Sequence, residues 1–153
     1  MGHRTGHTSN RSGEIGESAY PVVGIMAEHK LQLIVLPDLY TICRLDKDVP
    51  VPEWASSGAF LSITRTCDEL SIVCQEWLVP EGVRCERGWR CLGVAGTMDF
   101  SMIGVVASLV TPLAEAGVSV FVVSTYDSDY LLVKADDLER ASAALRAAGH
   151  TVR

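Results

Sequence analysis

The chain has 153 residues, 48% of them apolar and 21% charged, enough for one ordinary core or two small domains sharing a sheet. A net charge of −6 argues against nonspecific nucleic-acid or anionic-membrane binding, which needs a basic surface. No apolar run reaches the roughly 18 residues of a membrane span, and the first residues carry no secretory h-region, so the expected location is cytoplasmic.

Residues 1–29 are rich in Gly, Ser, Thr, Arg and His without sustained periodicity, and are expected to be a disordered N-terminal extension. Either Met1 or Met26 could be the true start. Leu31 to Leu36 reads as a strand, Pro37-Asp38 interrupts it, and Leu39 to Leu45 resumes: two short strands, or one broken by a turn. After a polar loop with Pro50 and Pro52, Glu53 to Ser57 can form only one helical turn before Gly58. Phe60 to Thr66 alternates, Cys67-Asp68-Glu69 turns, and Leu70 to Gln75 returns, which makes a β-hairpin. Glu76 to Gly88 reads as a linker, and Trp89 to Thr97 as the next strand.

A helix is expected over about 100–116, with Asp99 as N-cap and Gly117 as left-handed stop. Val118 to Thr125 is a β-branched strand, Tyr126 to Asp129 a turn, and 130–134 the returning strand. Asp136 opens a second helix stopped by Gly149, and His150-Thr151-Val152 could add a short strand. The second half therefore reads β-α-β-β-α-β, the ferredoxin-like order. The first half follows the same plan with its helices shrunken or lost. The hairpins FLSITRTCDELSIVCQE (60–76) and VFVVSTYDSDYLLVKAD (120–136) suggest duplication with a period of roughly 60 residues. Trp54, Trp77 and Trp89 are expected to pack where the first half lacks helices.

The five cysteines, Cys43, Cys67, Cys74, Cys85 and Cys91, include no C-x-x-C pair and lie far in sequence from every histidine. No metal site is expected, and the thiols read as small buried hydrophobes in a reducing compartment. Cys85 and Cys91 are close enough in sequence to bridge or to sense oxidation. No nucleophile is placed with a base, and neither a catalytic site nor a cofactor is expected.

Several stretches resemble the ACT domain, the small-molecule-binding module of aspartokinases and other amino-acid enzymes. They are AEAGVSVFVVSTYDSDYLLV (114–133), LDKDVPVPEWA (45–55), FLSITRTCDELSIVC (60–74) and GWRCLGVAGTMDFSMIGVVASL (88–109). The likeness extends over about residues 31–152. It is to the small stand-alone bacterial proteins made of two ACT-like units, a kind of unit also found in the cytosolic arginine sensors. It implies an α+β fold of two ferredoxin-like units side by side sharing an antiparallel sheet, the first (30–88) with reduced helices and the second (89–153) complete. It also implies a non-enzymatic regulatory or sensor role, with an amino-acid-type ligand at the interface between units.

The residues that could hold such a ligand fall in two groups. One is the loop into the first helix: Thr97, Asp99, Phe100, Ser101, Met102, Ile103 and Gly104. Its backbone N–H groups would seat a carboxylate, while Asp99 could pair with an ammonium or simply cap the helix. The other is hydroxyl and acid groups at strand ends: Ser124, Thr125 and Asp127 in the second unit, with Ser62 and Thr64 facing them from the first. The alternative is a structural protein–protein interaction module with a vestigial pocket. Homodimerisation is compatible with the resemblance, since ACT units often pair through sheets or helices.

Overall fold

The computed structural model describes residues 29–153. The expected N-terminal extension, apart from His29, and the choice of start at Met1 or Met26 lie outside the described residues. The strands are β1 (Gln32–Leu45), β2 (Ser62–Arg65), β3 (Leu70–Gln75), β4 (Cys85–Val94), β5 (Val120–Ser124), β6 (Asp129–Lys134) and β7 (Thr151–Val152). Among the described residues, two helices, α1 (Val105–Glu115) and α2 (Leu138–Ala147), complete a mixed α+β fold. The first half carries, among the described residues, only short 3-10 turns, at Glu53–Ser56 and Glu76–Leu78.

All seven strands join one sheet in the order β2-β3-β1-β4-β6-β5, with β7 added to β1. β1 is the hub. One edge pairs along β4, while the other pairs β7 in parallel at Gln32 and Leu33 and β3 antiparallel from Tyr40 to Leu45. Pro37-Asp38 does not break this strand in two. It falls where the β1–β4 register shifts between Val35 and Leu39, the kind of bulge that tolerates a proline without an N–H to give. β4 starts earlier than the strand expected from Trp89, because Cys85 and Glu86 already pair with Cys43 and Ile42.

Two apolar layers flank the sheet. Leu33, Leu92, Leu109, Leu113, Leu131 and Leu145 are fully buried beneath α1 and α2, each contributing about 1.5–3 kcal/mol by burial. A second layer holds Tyr40, Phe60, Val73, Trp89, Cys91 and Leu132, with Phe60 set between the Tyr40 and Tyr130 rings at 5.9 and 4.6 Å. Residues of the two outermost strands, Ser62 and Thr64 of β2 and Phe121 and Val123 of β5, line one small cavity, so the sheet curls until its ends face each other. A third cluster, including Ala55, Ile72, Cys74 and Val79, packs under the 3-10 turns. Of the three tryptophans, Trp54 and Trp89 pack as expected. Trp77 does not: its side chain stands in solvent at 71% exposure.

Gly117 and Gly149 end the two helices at φ +71° and +97°, as the sequence predicts. α1 contains Pro112, which has no N–H to give the Ser108 carbonyl one turn back. The buried His150 ring fills that vacancy: its Nε2 lies 3.0 Å from Ser108 O. Its Nδ1 accepts the Leu31 N–H at 3.1 Å. A ring that accepts at Nδ1 and donates at Nε2 is the neutral tautomer. One side chain therefore ties α1, the start of β1 and the approach to β7.

His150→Ala removes both bonds and leaves buried backbone groups unpaired, so unfolding in urea should show a loss of about 2–4 kcal/mol. At Gly93, a Cβ would come within 2.9 Å of the Tyr130 ring. Gly93→Ala should therefore cost about 1–3 kcal/mol in the same assay, and Gly93→Ala/Tyr130→Leu should regain part of it.

Candidate functional site

The loop between β4 and α1 meets the turn between β5 and β6. Met98 N–H donates to Asp127 O at 2.8 Å, and Ser128 Oγ donates to Val94 O at 2.7 Å. The turn is itself tied closed. Thr125 N–H and Oγ1 both donate to Ser128 O, and Ser128 N–H donates back to Thr125 Oγ1. These bonds hold the loop and the turn as the two walls of a cavity of about 320 Å³, within the size range of small-ligand sites.

The helix does not start at Asp99. Its N-cap is Gly104, held left-handed at φ +79° with no side chain capping the first turn. Asp99 instead folds the loop: its Oδ1 accepts the Ser101 N–H at 2.8 Å and its carbonyl accepts the Met102 N–H at 3.0 Å. The Ser101 N–H bond holds the Asp99 carboxyl below its ordinary pKa, so it stays ionised near neutrality. The first helical bond runs from Ser108 N–H to Gly104 O at 2.9 Å. The N–H groups of Val105, Val106 and Ala107 thus have no intrahelical acceptor, and all three residues line the cavity.

Of the expected site residues, the structure brings Asp99, Phe100, Met102, Gly104, Ser124, Thr125 and Asp127 to this cavity. Thr97, Ser101 and Ile103 belong to the same loop but do not line it. The Ile103 carbonyl accepts from His29 Nε2 at 2.6 Å. Ser62 and Thr64 line a different space, the cavity of about 200 Å³ between β2 and β5. Ser124 borders both cavities, so the two groups meet only there.

Sequence reasoning missed Tyr126 and Asp129. Tyr126 stands against Phe100 edge to face at the rim, ring centroids 4.8 Å apart, with both side chains largely exposed. Asp129 is 6% exposed, accepts the Ser124 hydroxyl, and has no basic side chain in ion-pair range among the described residues. The available signal was the β5–β6 register, which sets Asp129 opposite Ser124 instead of in the turn.

The walls contain three carboxylates and no Lys, Arg or His. Such a cavity can take an anionic group at the helix N-terminus and a cationic group at the acids. Among the described residues, no cluster of three or more His, Cys, Asp or Glu could hold a metal ion, and no helix is long and apolar enough to cross a membrane.

An ACT-domain family model matches residues 84–147, and a second model, for an N-terminal domain, matches residues 38–82. No curated protein sequence matches the chain. Among solved structures, the chain is similar to Atu0741 from Agrobacterium tumefaciens, with 43% identity, a TM-score of 0.78, and coverage of 82% of this chain and 93% of that one. It also shares its fold with an aspartate kinase from Clostridium acetobutylicum, described as an allosteric enzyme (12% identity, TM-score 0.61, 78% of this chain and 35% of that one). The regulatory subunit of aspartate kinase from Thermus flavus is likewise similar in fold (13% identity, TM-score 0.55, 76% of this chain and 95% of that one). The chain belongs to the same family as Agrobacterium Atu0741, and it contains an ACT domain over residues 84–147.

Proposed function

We propose that this chain is a non-enzymatic regulatory or sensor protein made of two ACT units, residues 30–88 and 89–153, that binds an amino acid beside the start of α1. The observation that carries the reading is the open helix N-terminus on a cavity whose charged lining residues are all carboxylates. A free amino acid has the matching pair of charges. Its carboxylate would accept from the N–H groups of Val105, Val106 and Ala107. Its ammonium would face Asp129 and Asp127, of which Asp129 is the better placed because burial raises the strength of a charge contact. Phe100, Met102 and Tyr126 would cover the side chain.

The smaller cavity beside Ser124 is where the first unit reaches toward this site, so Ser62 and Thr64 belong to the reading as neighbours across the unit boundary. The ACT match and the aspartate kinase regulatory subunit of like fold support a regulatory over a catalytic role. The resemblance to the arginine sensors implies the same kind of work. A docking module with a vestigial pocket is the second reading. It is favoured by the exposed side chains of Phe100 and Tyr126 at the rim and of Ile103 on the same loop.

A thermal-shift screen against the twenty amino acids at millimolar concentration tests the first reading. At least one should raise Tm by a few degrees, the mass-action effect of a ligand in excess of its Kd. Asp129→Asn should then weaken that ligand at least about tenfold by titration calorimetry while leaving the fold intact, a loss within the range for a buried charge-assisted contact. No shift with any amino acid would leave the docking reading.

A further inference from the structure

Three of the five cysteines, scattered in the sequence, come together across three adjacent strands. Cys74 lies on β3, Cys43 on β1 and Cys85 on β4, all in the cluster beneath the 3-10 turns. Cys43 and Cys85 are direct partners in the antiparallel β1–β4 ladder. The ladder position matters. Arg44 N–H donates to Arg84 O at 2.9 Å, which makes residues 44 and 84 a hydrogen-bonded pair. The adjacent pair, Cys43 and Cys85, is then the close, non-hydrogen-bonded kind, with Cα atoms about 4.5 Å apart and side chains on one face. That lies inside the roughly 4.4–6.8 Å a disulfide spans. Cys43 and Cys74 are also neighbours, but Cys74 stands opposite Thr41, so these two are diagonal and farther apart at the backbone.

Access divides the cluster. Cys43 and Cys74 are completely buried, whereas Cys85 is partly exposed at the start of its strand. We propose that Cys85 and Cys43 form a peroxide-driven, reversible cross-strand disulfide, with Cys85 as the oxidant-facing thiol and Cys43 as the resolving one. In the first step a hydroperoxide oxidises the Cys85 thiol to a sulfenic acid and is itself reduced to the alcohol, or to water if it is hydrogen peroxide. In the second, Cys43 sulfur attacks the Cys85 sulfur. The S–S bond forms, the S–O bond breaks, and the hydroxide leaves with the Cys43 proton as water. A dithiol reductant reverses the linkage by exchange.

Of the two buried neighbours of Cys85, Cys43 is singled out by its place in the ladder and not by its acidity. The neighbouring Cys74 thiol raises the Cys43 pKa while Cys43 lowers that of Cys74, and the Arg87 guanidinium lowers both. Cys91 lies in the aromatic layer, a different cluster from Cys85, and burial pushes its thiol up to about 12. Cys67 is exposed in the β2–β3 turn and serves as an internal control for oxidant reaching the surface. The disulfide would staple β1 to the first residues of β4, the seam where the two halves of the chain join.

The test uses the full chain, titrated with hydrogen peroxide, alkylated with iodoacetamide and mapped by mass spectrometry without reduction. The expected result is one linked peptide pair, Cys43 to Cys85, lighter by two hydrogens and abolished by dithiothreitol. C85S should remove the linkage while leaving the circular dichroism spectrum unchanged. In C43S, dimedone should trap Cys85 as the sulfenic acid. Because Cys43 is fully buried and C43S could fail to fold, wild type and C85S decide the outcome. Alkylation of both Cys43 and Cys85 at peroxide levels that fully oxidise Cys67 would overturn the proposal. A dominant linkage to Cys74 or Cys67 would also overturn it.

Discussion

The hydrogen bonds of His150 are the constraint on which the site depends. Pro112 interrupts the bonding of α1 in its middle, leaving the Ser108 carbonyl without its helical donor. A buried, unpaired carbonyl would be costly, and the helix would have reason to bend or shift. The imidazole of His150 supplies the donor and at its other nitrogen takes the first free N–H ahead of β1. The same segment that brings His150 into place continues into β7, where Thr151 and Arg153 N–H bond Leu31 and Leu33 carbonyls. The last residues thereby lock the start of β1 and clamp α1 against the sheet. With α1 fixed, three N–H groups without intrahelical acceptors or a capping side chain are kept at the cavity's edge.

The sheet supplies the second wall. β1 pairs on both edges, so the two halves of the chain share their hydrogen bonds instead of meeting through a linker. β4 carries the loop toward α1, and β5–β6 carry the turn that faces it. The Met98–Asp127 and Ser128–Val94 bonds join the two. The curl of the sheet brings β2 of the first half close to β5 of the second, which is why Ser124 borders both the main cavity and the smaller one.

Much of this was legible in the sequence where the signal is local. Gly117 and Gly149 stop the helices where glycine is needed for a positive φ. The alternation from Phe60 and the β-branched run from Val118 give the two hairpins. The loop that lines the cavity was marked in the sequence by the expected helix entry and by the ACT resemblance. What was missed depends on non-local pairing. Asp99 looked like an N-cap, yet its carboxylate is used up on Ser101. Gly104, directly before Val105-Val106, was the signal for the true start. The first residues of β4 were hidden by the Pro80-Glu81-Gly82 punctuation and by a register shift that breaks the alternation between Glu86 and Trp89. Asp129 reads as one more turn acid until the β5–β6 register buries it beside Ser124. The nearness of Cys43 and Cys85, which are 42 positions apart (85 − 43), is likewise set only by the β1–β4 ladder.

The central claim is that the unbonded N–H groups at the start of α1 receive a ligand carboxylate. The most direct measurement is a two-dimensional amide NMR titration with the amino acid that stabilises the protein. The account predicts that the largest shifts fall on Val105, Val106 and Ala107, moving together with those of residues 125–129 at a single affinity. Shifts confined to Ser62, Thr64 and Ser71, with the α1 amides unmoved at saturation, would contradict it.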